Sequence, residues 1–100
     1  MSLLDQGIAL ALEEVNKRCR NPMTDFPVVE RRDTCVALKF KKNYFVVHAQ
    51  GDMDAPVLVY YCRQNKEEVL SALEDITSDG RSHYGCEDVG ELVECMFEDQ

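Results

Sequence analysis

The chain has 100 residues, 45% of them hydrophobic, with 19 Asp and Glu against 11 Lys and Arg and a formal net charge of −8. A chain of this length and apolar content folds as one domain, residues 1–100, and is not disordered. No run reaches the roughly 20 apolar residues that cross a bilayer, and no membrane partner is expected.

Ser2 and Asp5 open an amphipathic helix. Its Leu4, Ile8, Ala11, Leu12, Val15 and Cys19 fall on one stripe at helical spacing. Glu13–Lys17 and Glu14–Arg18 are favourably oriented pairs on the opposite side. Gly7 costs this helix about 1 kcal/mol relative to alanine, so its first turn is expected to fray. Asn21-Pro22 is expected to end it, because the residue before proline is pushed out of the helical region. Asp5 also stands where a secretion signal would carry Lys or Arg, and the chain is read as cytoplasmic.

Residues 21–33 read as a connection with two prolines, in which Val28 and Val29 could add a short edge strand. Thr34 to Cys62 then holds most of the β-branched and aromatic residues and reads as three successive strands. A two-residue turn at Lys42-Asn43 would pair Phe40 with Phe45, Leu38 with Val47 and Val36 with Ala49. These six share one face, assigned to the core. The other face carries Lys39, Lys41, Tyr44, Val46 and His48 and is expected to stay open to solvent.

Gln50–Pro56 is a loop by its Gly, Asp and Pro content. Val57 to Cys62 is apolar on both faces, which is an aggregation liability at a sheet edge. Either a neighbouring segment or a second subunit must cover it. The second option makes Val57, Val59 and Tyr61 the edge of a homodimer.

Asn65 with Glu68 starts a helix whose apolar stripe is Val69, Leu70, Leu73 and Ile76, stopped by Ser78-Asp79-Gly80. A last helix runs from about Glu87 to Phe97, with Val89, Leu92, Val93 and Met96 on one side. The expected order is α-β-β-β-α-α. That is an α+β domain: a three-stranded antiparallel meander, an N-terminal helix and two C-terminal helices, with the helices packed on one face.

Charge is unevenly placed. Residues 1–63 hold nine Lys and Arg against eight Asp and Glu, and residues 64–100 hold two against eleven. On the last helix Glu87, Glu91, Glu94 and Glu98 recur at i, i+4, i+7 and i+11, opposite the apolar stripe and beside Asp88. Like charges at this spacing weaken their own helix, as do acids near its C-terminus. Such a stripe either keeps a small protein soluble or is kept for a basic partner.

As a phosphate mimic the stripe is sparse. It offers one charge per about 5–6 Å of axis, against a phosphate every 3.4 Å or so along a strand. Glu67, Glu68, Glu74, Asp75 and Asp79 would have to join the same surface. In size, acidity and lack of a catalytic motif the chain resembles small inhibitors made by phages against host defence, anti-CRISPR proteins included. That resemblance is one of class and composition only.

A basic group, Arg31, Arg32, Lys39, Lys41 and Lys42 with Phe40 and Tyr44 between, is an opposing feature. The element order is also similar to that of the Alu-binding proteins of the signal recognition particle, which would imply an RNA-binding sheet. A pI near 4.6 argues against nucleic acid as partner.

The five cysteines, Cys19, Cys35, Cys62, Cys86 and Cys95, are odd in number and lack a Cys-x-x-Cys pair, which reads as reduced thiols. His83-x-x-Cys86 is half of a zinc motif whose second half would need Cys95, His48 or Cys62 nearby. No metal, cofactor or catalytic residue is expected, and no glycine-rich phosphate loop occurs. The expected function is therefore binding, not enzymatic. The chain would be an acidic protein that inhibits or modulates a basic protein partner through Glu87, Glu91, Glu94, Glu98 and Asp88. The alternative is a homodimeric adaptor or secretion-type chaperone working through the open sheet face, and a third reading is an RNA-binding module.

Overall fold

The computed structural model describes residues 3–50, 57–79, 85 and 88–98. Its elements are α1 (Leu3–Asn16), β1 (Val28–Arg31), β2 (Cys35–Phe40), β3 (Asn43–Gln50), β4 (Val57–Arg63), α2 (Lys66–Asp79) and α3 (Val89–Glu98). The strands form one antiparallel sheet of order β1-β2-β3-β4. The class is α+β as expected, but the sheet has four strands rather than three. Val28–Arg31 supplies the extra one, pairing with β2 through a bulge between Val28 and Glu30. It is short, charged and 57% exposed at Val28, as a protected sheet edge tends to be.

Helices cover both faces of the sheet, and the expected solvent-open face is not there. On one side Val36, Leu38, Phe40, Phe45, Val47 and Tyr60 meet Leu4, Ala11 and Val15 of α1 and Leu92, Val93 and Met96 of α3. On the other, Cys35, Ala37, Val46, Val59 and Tyr61 meet Val69, Leu73 and Ile76 of α2. This explains why Val57–Cys62 is apolar on alternate and intervening positions alike. Val46 and His48 are buried, and Tyr44 is half-buried.

The β2–β3 hairpin turns at Lys41-Lys42, two partners away from the expected register. Phe40 pairs with Asn43, Leu38 with Phe45 and Val36 with Val47. A shift of two partners preserves alternation, so the six core-facing residues still share a face. Lys41 takes the turn with a φ of 52°, a left-handed conformation uncommon outside glycine and asparagine. The shift places the Asn43 side chain inside, where its Nδ2 donates to the Met96 carbonyl at 2.7 Å. That carbonyl lies in the last turn of α3, which has no intrahelical partner to offer it.

α1 stops at Asn16, five residues before the expected Asn21-Pro22. Asn16 bonds Met23 in both directions, donating from Nδ2 at 2.9 Å and accepting at Oδ1 from the Met23 N–H at 2.7 Å. These bonds turn the chain back early and leave Cys19 half-buried outside the helix. They also lead Phe26 into the core, where it is 1% exposed.

Gly7, which looked like a defect, is where α1 touches the sheet. A Cβ there would lie 2.8 Å from Val47 Cγ1 and 3.1 Å from Leu58 Cδ2, and the Gly7 carbonyl accepts from the Tyr60 hydroxyl at 3.4 Å. Gly7→Ala gains about 1 kcal/mol of helix propensity but overpacks a β-branched side chain, at about 1–3 kcal/mol. The variant is expected to lose about 1 kcal/mol net and several degrees of Tm. A rise in Tm on thermal unfolding would show that Val47 yields.

Candidate functional site

α2 begins with Asn65 as its cap: Asn65 Oδ1 accepts from the Glu68 N–H at 2.9 Å, and Glu68 Oε2 accepts from the Gln64 N–H at 3.2 Å. α3 begins likewise at Asp88, whose Oδ1 accepts from the Gly90 N–H at 2.9 Å and whose carbonyl takes the Leu92 N–H at 3.3 Å. Asp88 is therefore a capping residue as well as an exposed carboxylate. Leu92, Val93 and Met96 turn inward, which leaves Glu91 and Glu94 in solvent. Glu98 is the final helical residue. Glu87 lies outside the described residues, as does the Glu98 side chain.

The carboxylates of α2 do not join those of α3. Glu67, Glu68, Glu74 and Asp75 are exposed on the helix that covers the opposite face, and the sheet lies between. Around the start of α2, Glu67, Glu68 and Asp75 border an open concavity of about 530 Å³, lined also by Arg63, Asn65, Ser71 and Ala72.

Among the described residues, three ion pairs form: Lys17–Glu14 at 2.9 Å, Arg31–Asp5 at 3.2 Å and Arg32–Glu30 at 3.1 Å. Glu67, Glu74, Glu91 and Glu94 take part in none of them. The Glu14 carboxylate bonded to Lys17 raises that ammonium's pKa above its ordinary value.

The basic group is divided. Arg31 and Arg32 are engaged with Asp5 and Glu30 at one end of β2, while Lys39, Lys41 and Lys42 lie at the other. Phe40 is buried in the core. At the hairpin end, cations lie over rings: Lys39 over Tyr44 at 5.9 Å, Lys41 over Phe97 at 5.5 Å and Arg18 over Phe97 at 6.0 Å. No continuous ring-and-cation surface of the kind a nucleic-acid strand tracks is assembled from the predicted residues.

β4 is the outer strand next to β3, as a meander requires. Of the three residues placed at a homodimer edge, only Val57 presents its side chain, at 43% exposure. Val59 and Tyr61 are buried beneath α2. Gly85 lies against this strand at Tyr60 and Tyr61, and with Leu92 and Cys95 of α3 it borders a cleft of about 210 Å³.

Cys35 is fully buried under α2, and burial pushes its thiol above the ordinary range. Hydrogen bonding to Thr77 and Thr34 and the Arg32 charge pull the other way. Among the described residues Cys19, Cys35, Cys62 and Cys95 form no disulfide. Among the described residues no group of three His, Cys, Asp or Glu converges on one point; His83 and Cys86 lie outside them. No described helix is long and apolar enough to cross a membrane.

The fold and this surface define an α+β protein with a four-stranded antiparallel sheet between helices. Comparison with protein-family models, curated proteins and solved structures finds no match.

Proposed function

We propose that this chain is a binding protein, not an enzyme, which docks through the carboxylate face of α3 on a basic surface of another protein and blocks or modulates it. The observation that carries this reading is the exposure of Glu91 and Glu94 with no ion-pair partner among the described residues, on a helix whose other side is fully used in the core. Cations nearer the start of the chain already have Glu14, Asp5 and Glu30 as partners.

The division of the acids between two faces favours a protein target over imitation of a nucleic-acid strand, which needs closely spaced charges along one line. The division of the basic group likewise weighs against RNA. Burial of Val46 and His48 removes the surface that a chaperone working through the sheet face would use.

The test is capture of the partner from the source cell, followed by affinity measurement across salt concentrations. Glu87, Glu91, Glu94 and Glu98 all replaced by Gln should weaken binding and flatten its salt dependence, since screening acts on exposed charges. Unchanged affinity would end this reading.

A further inference from the structure

Three cations surround one concavity beside the C-terminal end of α1. It measures about 360 Å³ and is lined by Arg18, Cys19, Arg20, Asn21, Met23 and Lys41. No carboxylate among the described residues lines it, although the chain as a whole has a net charge of −8.

The early stop of α1 creates this hollow. Glu14, which a longer helix would have set against Arg18, bonds Lys17 instead at 2.9 Å. The two Asn16–Met23 bonds then close residues 17–22 into a loop, which brings Arg18, Cys19, Arg20 and Asn21 round one space. Lys41 reaches it from the β2–β3 hairpin, with the φ of 52° that glycine or asparagine would take at lower cost. Arg18 and Lys41 lie over the same Phe97 ring, at 6.0 and 5.5 Å from its centre. None of Arg18, Arg20 and Lys41 has an ion-pair partner among the described residues. Like charges gathered without a counter-charge repel one another, and an anion between them removes that cost.

We propose that this concavity binds the diphosphate group of a small molecule, either a nucleoside diphosphate or free pyrophosphate. The guanidinium groups of Arg18 and Arg20 offer paired N–H donors that match phosphate oxygens, and the Lys41 ammonium adds a compact charge. Three positive charges answer the roughly three negative ones of a terminal diphosphate near neutral pH. Met23 and Cys19 supply an apolar wall, and the volume falls within the range of small-ligand pockets. Such a wall suits a nucleobase, whose edge the Asn21 amide can both donate to and accept from. An RNA strand fits less well, because Lys39 and Lys42 lie outside the lining. The site uses no residue of the carboxylate face and does not depend on it.

The experiment is calorimetric titration of the full chain with ADP, pyrophosphate and adenosine. ADP and pyrophosphate should each bind at a single site, more weakly as salt rises, and adenosine should not bind. Tighter binding of ADP identifies a nucleotide as the ligand, and equal binding identifies the diphosphate alone. Arg18→Gln, Arg20→Gln and Lys41→Gln should each weaken binding about tenfold or more, the loss of one charged hydrogen bond. Lys17→Gln and Lys42→Gln remove the same charge from neighbours outside the lining and should cost less than about twofold.

Circular dichroism checks that each variant folds. A second measurement needs no variant: ADP should slow alkylation of Cys19 but not of Cys95 on α3, read by mass spectrometry. Absence of binding by both phosphate probes up to about 1 mM overturns the site. So does adenosine binding as tightly as ADP, an equal loss from Lys17→Gln or Lys42→Gln, or Cys19 left unprotected. An oligoribonucleotide that binds more tightly than ADP and also needs Lys39 and Lys42 overturns it in favour of a strand-binding surface.

Discussion

Phe26→Ala is expected to lower the unfolding free energy by about 3–5 kcal/mol, much of the ~5–15 kcal/mol that a domain of this size possesses. Phe26 comes from the connection between α1 and β1, yet it is 1% exposed. Its ring stands edge-on to Phe45 at 5.1 Å and to Phe40 at 6.1 Å. Such pairs add about 0.5–1.5 kcal/mol each beyond the area they bury.

The site cannot readily collapse onto the space left behind. The connection is tied before Phe26 by the Asn16–Met23 bonds and after it by the Lys39 N–H donating to the Pro27 carbonyl at 2.9 Å. Guanidinium unfolding would show the midpoint falling with little change in slope. Phe26→Leu should lose far less. A loss under about 1 kcal/mol for alanine would mean that the cavity closes after all.

Asn43→Ala comes second, at about 2 kcal/mol, within the 1–3 kcal/mol for leaving a buried polar group without its partner. The bond from Asn43 Nδ2 to the Met96 carbonyl is the only cap of that carbonyl among the hydrogen bonds between described residues, and Asn43 is 4% exposed. Asn43→Asp should be as harmful or worse. An ionised carboxylate cannot donate, and it sets a negative charge at the negative end of α3. Denaturant unfolding with far-ultraviolet dichroism would measure both. Asn43→Ala within 0.5 kcal/mol of the parent would show that water replaces the amide.

Much of the fold was legible in the sequence, because apolar periodicity is a local property. The helices, the β2–β3–β4 meander and the six residues of its first core face follow from alternation and helical spacing alone. What alternation could not reveal was the two-sided cover. A strand apolar on both faces reads the same whether a second chain or a neighbouring segment lies above it, so both stay open in the sequence; α2 is what covers Val59 and Tyr61.

The hairpin register was missed by two partners because the deciding interaction, Asn43 with Met96, spans 53 residues. Phe26 was missed for a similar reason: nothing in NPMTDFPVVERRD distinguishes a core plug from a loop residue until Asn16 and Met23 fix its approach. Gly7 was legible only as a weak helix position. Its close approach to Val47 is a property of packing.

The acidic stripe was legible as a pattern, and the structure leaves Glu91 and Glu94 exposed, as that pattern implied. The pattern did not reveal that α2 and α3 lie on opposite sides of the sheet. Nor did it show that Asp88 caps its own helix.

The two-sided cover also sets the order in which the molecule can be completed on the ribosome. The α2 side draws on the four strands and the helix that follows them, so it can close as soon as Asp79 has emerged. The other side joins α1 to α3, and its two long bonds, Tyr60 to Gly7 and Asn43 to Met96, each bridge 53 residues. Loop closure over such distances is slow relative to local pairing. α1 is thus made before the strands it packs on, and its apolar stripe waits for β3 and β4, and then α3, to cover it.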